Sequence, residues 1–224
     1  VRSSRVGSPL SVDLQRIGTL APKSTREIAN PSWTLGCETL DRDFADFKAY
    51  RDYLPPLGIK RIRLQAGWAK CERERGKFDF GWLDEIVDFA RTNAIEVLMD
   101  LSYGNPIYPG GGGWDLAAGV PTSEEGLSAW DVWTETIARH FRDRVAWWAM
   151  WNEPDIGAEN TPERIAAFNV RTAKTLRKVL PGCRIAGLSL ASNAPDLMEE
   201  CLKPMGSDVW LFDAFIYHGY QLAP

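Results

Sequence analysis

A carboxylate at the end of a long apolar run is the group in this sequence most clearly set up for chemistry. Glu153 follows Val145-Ala146-Trp147-Trp148-Ala149-Met150-Trp151-Asn152 and precedes Pro154. Desolvation at the top of such a run favours the neutral acid and moves a carboxyl group toward the range where it donates a proton near neutrality. Asn152 beside it supplies a hydrogen-bonding amide. Polar residues also end the other apolar runs: Arg61, Arg63 and Gln65 on alternate positions, then Trp68; Asp100, Ser102, Tyr103 and Asn105; and Tyr217, His218 and Tyr220. Brought together, Glu153, Asn152, His218, Tyr220 and Arg63 suit acid catalysis on a hydroxylated substrate. Composition does not identify that substrate.

Such a set needs a scaffold that gathers successive strand ends. From Trp33 onward, short apolar runs of strand character alternate with longer segments of helical periodicity. Strands are expected at 32–38, 60–66, 95–101, 145–152, 184–190 and 212–218. Thr161 and Pro162 form an N-cap followed by proline in the first helical position, and Pro181-Gly182 stops that helix. Thr122 and Glu125 suggest a capping box ahead of the stripe Leu127, Trp130, Trp133, Ile137 and Phe141. After Asp79 a further helix buries Trp82, Ile86, Val87 and Phe89 or Ala90, then turns at Thr92-Asn93.

This alternation predicts an α/β protein with a parallel sheet covered by helices, as an open doubly wound sheet or a (β/α)8 TIM barrel. The first strand–helix turn, Gly36-Cys37-Glu38-Thr39-Leu40-Asp41, has no GxGxxG and no P-loop. Gly110 to Gly113 follows the third strand and is not flanked as a phosphate cradle. The barrel is the better fit, with about six β/α units present where a full barrel has eight. The chain is therefore expected to belong to a longer polypeptide. Residues 1–30, broken by Pro9 and Pro22, suggest an N-terminal arm with one short strand at Leu10 to Ile17; residues 31–224 form the partial barrel.

With the elements in place, the motifs resemble a known group. Trp151-Asn152-Glu153-Pro154 on the fourth strand resembles the Asn-Glu-Pro signature of the clan A retaining glycoside hydrolases, which are (β/α)8 barrels, in the style of families 39 and 5. Arg63 on strand two, the turn Ser102-Tyr103-Gly104-Asn105-Pro106 and Tyr217-His218-Gly219-Tyr220 agree with it, and the resemblance runs from about Trp33 to the end. It implies cleavage of β-glycosidic bonds by double displacement, with Glu153 as general acid/base. It also implies that Asn152 holds the sugar 2-hydroxyl, that His218 and Tyr220 line the subsite where the bond breaks, and that Arg63 orients an ionised nucleophile.

The nucleophile that the resemblance implies is a Glu on strand seven, beyond residue 224. Retaining chemistry needs two carboxyl groups about 5–5.5 Å apart. Asp100 and Asp155 are the available substitutes; Asp100 is expected to anchor Arg61 or Arg63, and Asp155 to sit in a loop. The 224 residues alone are expected to be catalytically crippled. Tyr103 and Asn105 join the substrate-binding set from the third strand. Trp68 and Trp114, in loops expected to rim the barrel mouth, offer flat faces to sugar rings. The glycine run Gly110 to Gly113 is expected to be a flexible loop or lid, or else a tolerated insertion.

Each of these residues also has a structural reading. Glu153 could cap a helix, Arg63 could serve only as an ion-pair partner, and His218 could be a satisfied core histidine. Trp82, Trp130, Trp133, Trp147 and Trp148 are already accounted for as core by their periodicity. The rival functions are a non-catalytic carbohydrate-binding barrel, an inactive fragment, and a metal-dependent isomerase or aldolase. The last is disfavoured by the lack of a His-rich or Asp-rich set at strand ends and of a lysine suited to Schiff-base formation.

The balance of 26 basic and 30 acidic residues, formally −4, points to a neutral substrate and away from nucleic acid; the resemblance implies that this substrate is an oligo- or polysaccharide. No apolar run approaches the roughly 18 to 20 residues of a membrane span. Two histidines and the scattered Cys37, Cys71, Cys183 and Cys201 predict no metal site, and no cofactor is expected. The cysteines are expected to be buried thiols, with a Cys37–Cys71 disulfide as the alternative. No basic segment precedes an apolar one at the start, so a targeting peptide has been removed or was never recorded. A secreted or cell-envelope setting follows only from the substrate class, and the oligomeric state is not readable.

Overall fold

The computed structural model describes residues 21–29, 34–116, 119–156, 160–192 and 194–219. Six strands form one sheet: β1 (Thr34–Cys37), β2 (Arg61–Gln65), β3 (Glu96–Leu101), β4 (Trp147–Met150), β5 (Arg184–Leu190) and β6 (Ala214–Tyr217). They lie in chain order, each parallel to the next. A doubly wound sheet reverses its strand order at a switch point. Sequential order is that of a (β/α)8 barrel, of which these are six strands.

Helices α1 (Trp68–Cys71) and α2 (Gly81–Thr92) connect β2 to β3, and α3 (Glu124–His140) connects β3 to β4. Helix α4 (Pro162–Val179) precedes β5, and α5 (Pro195–Leu202) precedes β6. The β1–β2 connection holds three single 3-10 turns instead of an α-helix. Strand alternation divides the faces: Ile62 and Leu64 of β2 are fully buried toward the helices, while Arg61, Arg63 and Gln65 occupy the other face. The helices answer with Leu83, Ile86, Val87 and Ala90 from α2; Trp130, Trp133 and Ile137 from α3; and Phe168, Ala173 and Leu176 from α4. Each large side chain so buried contributes about 1.5–3 kcal/mol.

The capping expectations divide. Thr161 caps α4 by accepting from Arg164 N, with Pro162 in the first turn. For α3 the cap is Ser123, whose Oγ accepts from Gly126 N at 2.9 Å, and not Thr122. Thr122 is held in the preceding loop, its N donating to Gly110 O at 2.9 Å.

That loop corrects the expectation of a flexible lid at Gly110 to Gly113. Gly104 N donates to Gly113 O at 2.6 Å and Asn105 N to Gly111 O at 2.9 Å, lacing the glycines onto the end of β3. A Cβ at Gly104 would stand 2.4 Å from Gly111 O, so this approach requires glycine.

The Leu10 to Ile17 strand lies outside the described residues. Of the arm, residues 21–29 dock under the barrel: Thr25 is buried and donates through Oγ1 to Asn93 O at 2.7 Å, while Arg26 Nη2 reaches Thr92 O at 2.6 Å. The cysteines are four separate buried thiols. Cys71 Sγ contacts Ala66 O at 3.2 Å, whereas Cys37 lies beside Tyr50, and burial pushes the Cys37 thiol up to about 11. The disulfide alternative is corrected accordingly. No described helix is long and apolar enough to cross a membrane.

Candidate active site

The chain leaves β4 through two left-handed residues, Trp151 at φ 60° and Glu153 at φ 53°. Such a conformation costs a non-glycine residue about 1–3 kcal/mol and persists only where surrounding contacts impose it. Both neighbouring strands do so here. Trp151 N donates to Leu101 O of β3 and Glu153 N to Ser189 O of β5, each at 2.8 Å. Ser189 can present its carbonyl because the β5–β6 register shifts between Gly187 and Leu190, with Leu188 and Ser189 also left-handed. Asn169 of α4 fixes this irregularity by accepting from Leu188 N at 2.9 Å.

Beyond Glu153 the turn is tied again. Asp155 accepts from Ala191 N at 2.7 Å and Ser192 N at 3.2 Å, and Asn160 Nδ2 donates to Pro154 O at 2.8 Å. His218, just past β6, is anchored by its N donating to Leu190 O at 2.7 Å. Its Nδ1 lies 2.7 Å from Glu153 Oε1, with the two side chains 16% and 12% exposed. Tyr220 lies outside the described residues.

On the other flank Arg63 gathers three partners. Its Nη1 donates to Glu38 Oε1, and its Nη2 to Asp100 Oδ2 and, at 2.7 Å, to Asn152 Oδ1. Burial opposes the guanidinium charge, but Asp100 and Glu38 beside it hold the Arg63 pKa above its usual value. Asp100 has no exposed surface; burial pushes its carboxyl up to about 7, with Arg63 opposing that rise. Asp100 thus anchors Arg63, while Arg61 pairs with Glu96 at 2.7 Å.

Asn152 is fixed from both ends of its amide, since Nδ2 donates to Tyr103 Oη at 2.8 Å. Tyr103 is buried, accepts from Gln65 Nε2 at 3.3 Å and carries the Arg42 guanidinium 5.0 Å over its ring. Arg42 in turn holds Asp115 at 2.6 Å, next to Trp114, which is 48% exposed.

Glu153, Asn152, His218, Arg63 and Tyr103 therefore meet at the strand ends, and Trp114 stands exposed on a neighbouring loop. Trp68 and Asn105 are placed elsewhere. Trp68 is fully buried in α1, stacks between Tyr108 and Trp133, and donates through Nε1 to Glu72 Oε2 at 2.6 Å. Asn105 is buried, donating to Glu72 O at 2.8 Å and accepting from Ile107 N at 3.2 Å. Both are corrected from substrate contacts to supports of the loops.

Glu38, the β5 irregularity and Arg42 were not anticipated. Glu38 directly follows β1, and listing strand-end polar residues from the first strand, not the second, would have found it. Nothing local announces Ser189 or Arg42. A cleft of about 630 Å³ on the outer helical layer, lined partly by Arg171 and Lys174, brings no further chemistry: those cations already pair with Asp131 and Asp208. No group of three or more His, Cys, Asp or Glu converges as a metal site among the described residues.

A glycoside hydrolase family 42 model, described as beta-galactosidase, matches residues 46–106, a stretch holding Arg63, Asp100 and Tyr103 but not Glu153. No curated protein matches. Among solved structures, a monomeric beta-xylosidase from Caulobacter crescentus CB15 aligns over 90% of this chain and 43% of its own, with 19% identity and TM-score 0.64. A family 39 glycoside hydrolase from Bacteroides cellulosilyticus WH2 aligns over 81% and 36%, with 19% identity and TM-score 0.61. The GH39 enzyme from Xanthomonas axonopodis pv. citri aligns over 77% and 38%, with 22% identity and TM-score 0.56. The chain spans less than half the length of each, and the shared feature is the barrel fold. The resemblance to clan A glycoside hydrolases holds at that level.

Proposed function

We propose that these residues form the acid/base half of a retaining β-glycoside hydrolase acting on an oligo- or polysaccharide. One observation carries the reading: Glu153 is held in a left-handed turn between β3 and β5 with its carboxylate against His218. With Nδ1 of His218 donating to Oε1, Oε2 is the oxygen that carries the proton to the glycosidic oxygen. After the aglycone leaves, the same oxygen takes a proton from water, which attacks the glycosyl intermediate. Asn152, immobilised by Arg63 and Tyr103, directs its remaining amide hydrogen to the sugar 2-hydroxyl. Trp114 offers a face to a neighbouring ring.

Double displacement needs a second, ionised carboxyl about 5–5.5 Å from the first. Asp100 is buried against Arg63, and Asp155 is consumed by Ala191 N and Ser192 N. On the resemblance to clan A glycoside hydrolases, the nucleophile is assigned to a strand that follows β6, beyond residue 224. Residues 31–224 are taken as the partial barrel and 1–30 as the arm that leads into it.

Hydrolysis of 4-nitrophenyl β-xyloside, β-mannoside and β-glucoside by the polypeptide carrying both carboxyls, with the first-formed anomer followed by NMR, tests this. Retention is expected, with hydrolysis of the corresponding disaccharides, whose leaving oxygen needs a proton, lost in Glu153→Gln; an inverted product, or a Glu153→Gln protein fully active on the disaccharides, overturns it. The engagement of Asp100 and Asp155 favours one second reading, a sugar-binding barrel without turnover, in which Glu153→Gln leaves binding unchanged and no hydrolysis occurs.

A further inference from the structure

Arg63 meets two carboxylates of unequal need. The Asp100 side chain has no exposed surface, while the Glu38 side chain is 41% exposed. Glu38 is thus the solvent-accessible carboxylate of the two, on the β1 side of Asn152. It is also pre-oriented. Oε1 is held by Arg63 Nη1, and Gly36 leaves the space over which the carboxylate folds, since a Cβ there would stand 3.3 Å from Oε1. Among the described residues no hydrogen bond engages Oε2, and nothing in the acid/base step uses Glu38.

We propose that Glu38 is a specificity-determining residue: its outward oxygen accepts a hydrogen bond from a hydroxyl of the sugar bound beside Asn152. This rests on the glycoside-hydrolase reading above. A carboxylate fixed by an arginine accepts strongly from a neutral donor without having to be ordered on binding. A site that has committed such an acceptor to a hydroxyl discriminates against the analogue lacking it, because the acceptor is then desolvated without a partner. Glu38 thereby distinguishes sugars that present a hydroxyl at one ring position from those that do not. Asp100 keeps Arg63 in place whether or not Glu38 is present.

The test measures binding of methyl β-xyloside, β-mannoside and β-glucoside, with their 2-, 3- and 4-deoxy analogues, by saturation-transfer NMR on wild type, Glu38→Ala and Glu38→Gln of the polypeptide carrying both carboxyls. The expected result is a loss of about tenfold or more for Glu38→Ala on one parent glycoside, as for a hydrogen bond to a charged group. Glu38→Gln, which keeps the contact to Arg63, loses less, and one deoxy analogue binds wild type and Glu38→Ala alike. An equal loss across parent and all deoxy analogues marks a structural effect and overturns the proposal alone. Unchanged binding in Glu38→Ala does the same. If wild type binds none of the glycosides, the glycoside-hydrolase reading falls together with this proposal.

Discussion

Glu153 Oε1 and His218 Nδ1, 65 positions apart in the chain, stand 2.7 Å from each other. The contact spans β4 to β6 and is built on two backbone hydrogen bonds, Glu153 N to Ser189 O and His218 N to Leu190 O. Both acceptors belong to the irregular end of β5. Glu153 and His218 thus share one support, and displacing that strand end displaces both.

His218→Ala removes the orienting contact but no reacting atom. Turnover is expected to fall on the order of 10- to 100-fold, the cost of misplacing a catalytic group by about an ångström, with KM changing less. Steady-state kinetics of the single and double variants check this. In a Glu153→Ala background the His218 substitution is expected to add almost nothing, since the two act through one contact.

Trp68 and Trp114 should separate cleanly. Trp68→Ala empties a fully buried site and is expected to cost about 3–5 kcal/mol of stability, read by chemical denaturation. Trp114→Ala is expected to stay within about 0.5 kcal/mol of wild type, as exposed substitutions do, while weakening oligosaccharide binding several-fold. Equal stability losses in the two variants would contradict their placement.

Stability between pH 4 and 7 should carry the signature of two buried aspartates. Burial raises Asp41 to about 6, opposed by Arg42, and Asp100 to about 7, opposed by Arg63, from an ordinary 3.8. Across that window the folded chain holds protons that the unfolded chain has released, so stability falls as pH rises. The contribution is complete below about pH 4 and lost by about pH 7. Asp115 and Asp213, whose partners hold them low, act in the opposite sense only below their ordinary value. Denaturation midpoints of wild type and Asp100→Asn are expected to converge toward pH 4 and to diverge toward pH 7 in favour of the variant. Parallel curves would count against the buried, strained Asp100 charge.

Asp155→Ala frees the Ala191 and Ser192 amides at the end of β5. A loss of about 1–3 kcal/mol is expected for donors left without their acceptor. Because the same strand end supports Glu153, turnover should fall with stability, and Asp155→Asn, which keeps an acceptor, should recover part of both. A variant with full stability and no turnover would instead make Asp155 a reacting group.

Most of the scaffold was legible because burial imposes period. The apolar runs at Ile62–Leu64, Val97–Leu101 and Ile185–Leu190 can only be strands between two layers, and the Trp130–Trp133–Ile137 stripe can only face them. That Glu153, Asn152, Arg63 and His218 come together was legible because Arg63 alternates within β2, His218 follows β6 by one residue, and Asn152 and Glu153 follow β4 by two and three. What was hidden depends on contacts distant in sequence. Trp68 resembles a rim residue until Tyr108 and Trp133, from two later elements, close over it. Gly110 to Gly113 resembles a flexible loop until Gly104 and Gly126 admit it at close range. The left-handed turn at Glu153 carries no glycine to announce it, since β3 and β5 impose it.

Leaving-group dependence is the most direct test of Glu153 as the acid/base. In the polypeptide carrying both carboxyls, Glu153→Ala should lose roughly 10²–10⁴-fold in rate on alkyl or disaccharide β-glycosides, where the departing oxygen needs a proton. It should lose far less on 2,4-dinitrophenyl glycosides, where it does not, and added azide should restore turnover by yielding a glycosyl azide of retained configuration. A uniform loss across leaving groups with no azide product would contradict the account.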